Sequence, residues 1–234
     1  MTANAHYVIA RNSYQLGDVE NFTFHAEETL EELPDVPDLL AQLSFFYAES
    51  GQVAQAIDRA NRALEVVDRV GKPAGVTANK WVDQVYQLKA EANYALGRAY
   101  LTRMSRTEDR AEDPNLKKSI EYLQIALRLE PRHDFACFRL GFAERNSNNA
   151  GGALMAYGKA VAIGEVAAQP AKTQLEDVLS IVKESMPDSE WAEKTVQEVV
   201  DQASIELEES VNVNQQERAQ LILELQQQEL QQQK

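Results

Sequence analysis

The sequence predicts an all-α fold of stacked helical hairpins, and three observations carry that prediction. First, 234 residues contain 10 Gly and 7 Pro, too few for a loop-rich all-β fold. The abundance of Ala, Leu, Glu and Gln favours helix instead. Second, apolar residues recur at helical spacing rather than in alternation. Third, segments of the chain echo one another at a fixed interval, as architectures built from repeated units do. With 44% hydrophobic residues the chain has enough apolar matter for a globular core.

The echo is specific. YQLGDVENFTFHAEETLEELP (14–34) returns as YAESGQVAQAIDRANRALEVVD (47–68), with Gly17 and Gly51 34 residues apart and Leu30 and Leu64 likewise. SIEYLQIALRLEP (119–131) matches the second half of that unit, while NYALGRAY (93–100) and CFRLGFAE (137–144) match the first. The pattern resembles the tetratricopeptide repeat (TPR), a helix–turn–helix unit that stacks into a right-handed α-solenoid. In that family a large apolar and a small residue sit side by side in the first helix. A Gly follows at the turn, small residues recur in the second helix, and a Pro ends the unit.

The resemblance divides residues 3–167 into four units. Residues 3–36 carry Ile9–Ala10, Gly17 and Pro34; residues 37–70 carry Leu43–Ser44, Tyr47, Gly51, Ala56 and Ala63. Residues 90–133 carry Leu96–Gly97, Tyr100, Ala126 and Pro131, with an insertion, SRTEDRAEDP, between their helices. Residues 134–167 carry Leu140–Gly141, Ala153 and Ala160. Phe22 stands where Ala is usual, Asn148 replaces the turn Gly, and Asp68 and Glu165 replace the Pro. Chemistry explains the pattern: small residues let helices approach, Gly permits a positive φ, and Pro cannot continue a helix.

Residues 71–89 lie between units two and three. Gly71, Pro73 and Gly75 mark a loop, Thr77 can cap a helix, and Trp81, Val85, Leu88 and Ala92 continue helically into unit three. A first helix about three turns longer than usual is expected there. Leu175, Val178, Leu179, Val182 and Met186 give residues 168–187 the apolar face of a capping helix. Residues 188–234 read as an acidic, Gln-rich helical tail. A helix starting at Asp188 or Ser189 would carry the stripe from Trp191 to Leu207. VNVN (211–214) would then break it, and Asn214 with Glu217 would cap a last marginal helix.

Charge and chemistry narrow the function classes. The net charge is −14, and residues 168–234 hold 14 acidic against 5 basic side chains. Such a chain repels a nucleic-acid backbone. No segment offers the ~20 apolar residues of a membrane span. One Cys excludes an internal disulfide, and no His or Cys falls at metal-ligand spacing, so no metal or cofactor is expected. His25 with Glu28 reads as a solvated face, Cys137 as a core thiol. No phosphate-binding loop or nucleophile elbow occurs, so the chain is not expected to be an enzyme. No leader is visible in the first residues; this suits the cytoplasm, or the periplasm if a leader has been removed.

The resemblance also locates a site. In TPR stacks the first helices line the concave surface. Carried over, the family's groove positions fall on Tyr7, Arg11 and Tyr14 in unit one and on Gln42 and Phe45 in unit two. They fall on Tyr94 and Arg98 in unit three, and on Phe138, Arg139, Phe142 and Arg145 in unit four. Aromatic and Arg residues are the types enriched at binding hot spots, and Arg adds bidentate recognition of carboxylates. The expected function is a non-catalytic adaptor holding a partner protein segment with apolar and acidic side chains. The alternatives are a structural protein self-associating through 188–234, or a docking arm of a multi-subunit enzyme or of a secretion or envelope complex. The carboxylate clamp of chaperone-binding members is not reproduced, because Tyr7 and Arg11 stand where it has Lys and Asn.

Overall fold

The computed structural model describes residues 1–105 and 110–232. Four helix pairs follow one another: α1 (Ala3–Leu16) with α2 (Val19–Glu32), α3 (Pro37–Glu49) with α4 (Val53–Arg69), α5 (Ala78–Arg103) with α6 (Pro114–Leu129), and α7 (Asp134–Asn146) with α8 (Ala150–Ile163). Then come α9 (Ala168–Ser185) and the long α10 (Val196–Gln232). The second helix of a pair packs on the first helix of the next, as α4 does on α5, α6 on α7 and α8 on α9. The result is an all-α solenoid. The insertion read at 105–114 lies partly, at 106–109, outside the described residues, as do the last two residues of the segment 188–234.

Local chemistry sets the helix ends. Asp18, Thr77, Asp113 and Asn149 each accept a backbone N–H in the first turn of the helix they precede. Gly17 and Gly51 turn the chain at φ +70° and +76°. Asn148 occupies the same turn in the fourth unit at φ +62°, so it supplies the left-handed residue that Gly supplies elsewhere. With Thr77 as cap, α5 runs for 26 residues, against 13 for α3 and for α7.

The crossing points of the pairs require small side chains. A Cβ on Gly97 would stand 2.6 Å from Leu123 Cγ, and one on Gly141 would stand 2.6 Å from the Tyr157 ring. At the equivalent positions Ala10 and Ser44 are fully buried. In the third pair the crossing is also hydrogen-bonded, Ser119 Oγ donating to the Gly97 carbonyl (2.8 Å). Phe22, the exception in the first pair, is fully buried between Tyr14 and Phe46. At that position the first pair is filled by a ring rather than closed by a methyl.

The C-terminal segment departs from the sequence reading. Residues 187–193 form turns and a bend rather than the start of a helix. The cap is Thr195 with Glu198: the Thr195 N–H donates to Glu198 Oε2 (2.7 Å) and the Glu198 N–H to Thr195 Oγ1 (3.3 Å), a reciprocal capping box. From Val196 one helix continues through VNVN, so the expected break at 211–214 is absent. The reason is tertiary. Asn214 is buried, and its Nδ2 donates to the carbonyls of Arg128 (2.8 Å) and Leu129 (3.0 Å) at the end of α6. These bonds outweigh the weak helix propensity of Val and Asn.

At about 1.5 Å per residue α10 is about 55 Å long, and it runs back along the array. Val199, Ala203 and Leu207 are buried, with Ala203 against Gly158 of α8. Further on, the Arg218 guanidinium lies over the Tyr86 ring (4.6 Å), donates to the Leu129 carbonyl (2.7 Å) and pairs with Glu130 and Asp83. Near its end Glu229 pairs with Lys72 (2.7 Å). The helix is thus a strap joining α8, α6 and the first half of α5. Among the described residues no helix is long and apolar enough to cross a membrane.

Gly141→Ala tests the crossing constraint. The added methyl must displace the Tyr157 ring, and overpacking of this kind costs about 1–3 kcal/mol. Urea unfolding should show that loss with the far-UV circular dichroism of the folded state unchanged; an unaltered midpoint would show that the contact is slack.

Candidate functional site

The first helices of the four pairs, with α9 beyond them, are linked side chain to side chain. Tyr7 on α1 donates its hydroxyl to Asp38 Oδ2 on α3 (2.8 Å). Phe45 on α3 lies against Tyr94 on α5 (ring centroids 5.5 Å) and Phe135 on α7 (6.5 Å). Arg145 on α7 donates to Gln174 Oε1 on α9 (2.8 Å). These contacts define one continuous face carried by α1, α3, α5 and α7.

Glu49 is the electrostatic centre of that face. One carboxylate oxygen accepts from Arg139 on α7 (3.0 Å), and the other accepts from the Tyr94 hydroxyl. Arg98 on α5 adds its charge at 3.5 Å. Glu49, Arg98 and Arg139 are all half-buried, so their charges are poorly screened. The arrangement joins three helices and uses up two of the four arginines expected to select a partner.

The sequence-derived residues therefore divide. Tyr94 is 0% exposed: its ring stacks on His133 (4.7 Å) and its hydroxyl is held by Glu49. It is a core residue, and the expectation that it meets a partner is corrected. Burial, reinforced by Glu49, raises its hydroxyl pKa. Arg98 and Arg139 are committed to Glu49, and Arg139 also lies over the Phe138 ring (5.5 Å). Phe45 and Phe138 are half-buried, Phe138 against Tyr157 (5.8 Å). Gln42 is half-buried, and its Oε1 accepts no hydrogen bond among the described residues.

Four residues keep a surface to offer. Tyr14 is 38% exposed and Phe142 39%. Arg11 is exposed beside the half-buried Tyr7 ring (5.8 Å). Arg145 is half-buried and fixed by the neutral Gln174.

Glu91, on the same side of α5, is the opposite case. Its carboxylate accepts one bond, from Gln87 Nε2 (3.2 Å). Burial, with a smaller contribution from the Asp38 charge, pushes its pKa up to about 7. A cavity of about 320 Å³ opens beside it, bounded by Asp83, Glu130, His133 and Arg218.

Elsewhere the expected absence of chemistry meets two further facts. Cys137 is fully buried, and burial pushes its thiol up to about 12, far from a reactive thiolate. His25 is not on a solvated face: its Nδ1 meets His6 Nδ1 at 2.8 Å, half-buried between α1 and α2. Two imidazoles at that distance share one proton, one donating and one accepting. Among the described residues no group of three His, Cys, Asp or Glu side chains could hold a metal ion. Gln174, which holds Arg145, escaped the sequence reading because it lies beyond the repeats.

Comparison with solved structures agrees with the fold. TTC0263, a thermophilic TPR protein of Thermus thermophilus, aligns over 95% of this chain and 100% of its own, with 16% identity and a TM-score of 0.50. MamA aligns over 93% and 94% at 17% identity and TM-score 0.45. PilW, a widely conserved type IV pilus biogenesis factor, aligns over 81% and 96% at 13% identity and TM-score 0.35. No protein-family model matches the sequence, and no curated protein does. The fold is a TPR α-solenoid.

Glu91 yields a pH test with a definite sign. An unfolded chain releases this proton near the ordinary 4.5, while the native carboxyl keeps it to about 7. Between those values the unfolded state binds fewer protons, so stability falls as pH rises through the window. Glu91→Gln should therefore unfold at higher urea than the parent at about pH 8, with the advantage gone at about pH 4. A constant difference across that range would place the carboxyl in water.

Proposed function

We propose that the chain is a non-catalytic adaptor that holds a segment of a partner protein against the face of α1, α3, α5 and α7. The observation that carries this reading is the set of exposed anchors there. Tyr14 and Phe142 present large apolar surface, and Arg11 and Arg145 present charge with no acidic side chain within ion-pair distance among the described residues. Exposed rings beside guanidinium groups that lack a carboxylate partner are of the residue types enriched at binding hot spots. Anchors of this kind contribute roughly 1–2 kcal/mol each. A handful suffices for micromolar affinity, which corresponds to about −8 kcal/mol.

A rival reading, self-association through 188–234, cannot draw on the whole of the apolar stripe. Within the stripe from Trp191 to Leu207, Val199 and Ala203 pack on Gly158 of the chain's own α8, and Leu207 is buried.

The test is a comparison of surfaces. Proteins captured from the source cell by the full chain should be lost when Tyr14→Ala and Phe142→Ala are combined, by roughly tenfold or more in affinity. They should be retained by Ile205→Ser on the outward side of α10, where Ile205 is 63% exposed. The reverse pattern would move the interface off the proposed face.

A further inference from the structure

We propose that the facing imidazoles of His6 and His25 form a two-ligand chelate for a divalent transition-metal ion, Cu(II) or Ni(II), which staples the first helix pair. The inference is independent of the adaptor reading. His6 on α1 and His25 on α2 place their Nδ1 atoms 2.8 Å apart. His6 is 8% exposed and His25 is half-buried, so the pair is enclosed by the hairpin and open to water at His25. The Phe24 ring lies edge-on to His25 (5.0 Å) and tilted towards His6 (6.3 Å), an apolar wall beside the two nitrogens. Imidazole is the commonest metal ligand among side chains, and here two converge from different helices.

The spacing selects the ion. With metal–nitrogen bonds of about 2.0–2.1 Å, nitrogens 2.8 Å apart subtend roughly 85–90° at the metal. That is the angle between neighbouring ligands of a square-planar or octahedral centre, the geometry of Cu(II) and Ni(II). A tetrahedral centre would hold the nitrogens about 3.3 Å apart, so Zn(II) fits less well. The ring planes are inclined by 51° with centroids 4.9 Å apart, a pose in which the nitrogens face each other. Histidine χ2 is a soft torsion, and turning both rings aims the two lone pairs at one point. Without an ion, one ring carries its proton on Nδ1 and the other on Nε2. Binding moves the first ring's proton from Nδ1 to its Nε2 through water, so the neutral pair takes up the ion with no net release of protons.

No third His, Cys, Asp or Glu joins the pair among the described residues, so water completes the coordination. The net charge of −14, with Glu28 one turn along α2 from His25, favours a cation through its field rather than by ligation. The consequence is mechanical. Among the described residues α1 leans almost wholly on α2, and their interface is otherwise apolar, with Ala10, Phe22 and Ala26 fully buried in it. A metal bridging the two helices ties down the end unit of the array, where a stack of repeats opens most readily.

The full chain, its N-terminus acetylated to remove a competing amine, would be titrated with Ni(II) and Cu(II) salts alone. One ion per chain is expected, and pulsed electron paramagnetic resonance of the copper form should show two imidazole nitrogens. His6→Asn and His25→Asn each keep an amide near the Nδ1 position and remove one ligand, and each should weaken binding by about tenfold or more. Added Ni(II) should raise the urea midpoint of the parent and leave that of both variants unmoved. Ni(II) should also bind more tightly than Zn(II); the reverse order would contradict the right-angle geometry. Failure to bind an ion, a signature of one imidazole, or binding retained in both variants would overturn the chelate. The copper spectrum is read on the parent, so it decides the matter even where a substitution unfolds the chain.

Discussion

The closeness of the helix crossings is the constraint on which the rest of this molecule depends. A helix pair with Gly, Ala or Ser at the crossing brings backbones together until a single methyl has no room, as at Gly97 and Gly141. That approach buries Leu123 and Tyr157 completely and leaves each unit with an apolar flank that only the next unit can cover. Stacking follows, and with it the alignment of α1, α3, α5 and α7 along one face. The proposed site would be a consequence of the packing rather than an addition to it.

On that face the physical contest is between structure and recognition for the same residue types. Rings and guanidinium groups serve both. Tyr94 went to structure, enclosed by Phe45, His133 and Glu49. Arg98 and Arg139 went to the half-buried carboxylate of Glu49, which would itself be costly to leave unpaired. In the proposed reading, what remains for a partner stands at the two ends: Arg11 with Tyr14 near the first unit, Phe142 with Arg145 near the fourth. The strap formed by α10 lies outside this contest, spending its apolar stripe on α8 and its Arg218 on the end of α6 and on α5.

How much of this was legible follows from range. The repeat could be read because its determinants are local: a small residue, a turn Gly and a helix stop recur at one spacing, and each acts within its own hairpin. The turn at Asn148 was visible as a substitution whose φ is the one Gly would take. The pairing of Arg139 with Glu49 joins residues 90 apart, and nothing in either neighbourhood announces it. Tyr94 illustrates the same limit, since a position that faces a groove in one array is closed by a neighbouring ring in another. The continuous α10 was misread for a related reason: VNVN is a weak helix former, and the bonds from Asn214 to residues 128 and 129 that rescue it lie in another unit.

The most direct test of the central claim is amide hydrogen exchange on the full chain with a captured partner segment bound. The account predicts added protection in α1, α3, α5 and α7, greatest near Tyr14 and Phe142, and little change in α2, α4 and the outward side of α10. Protection confined to those latter helices would contradict it.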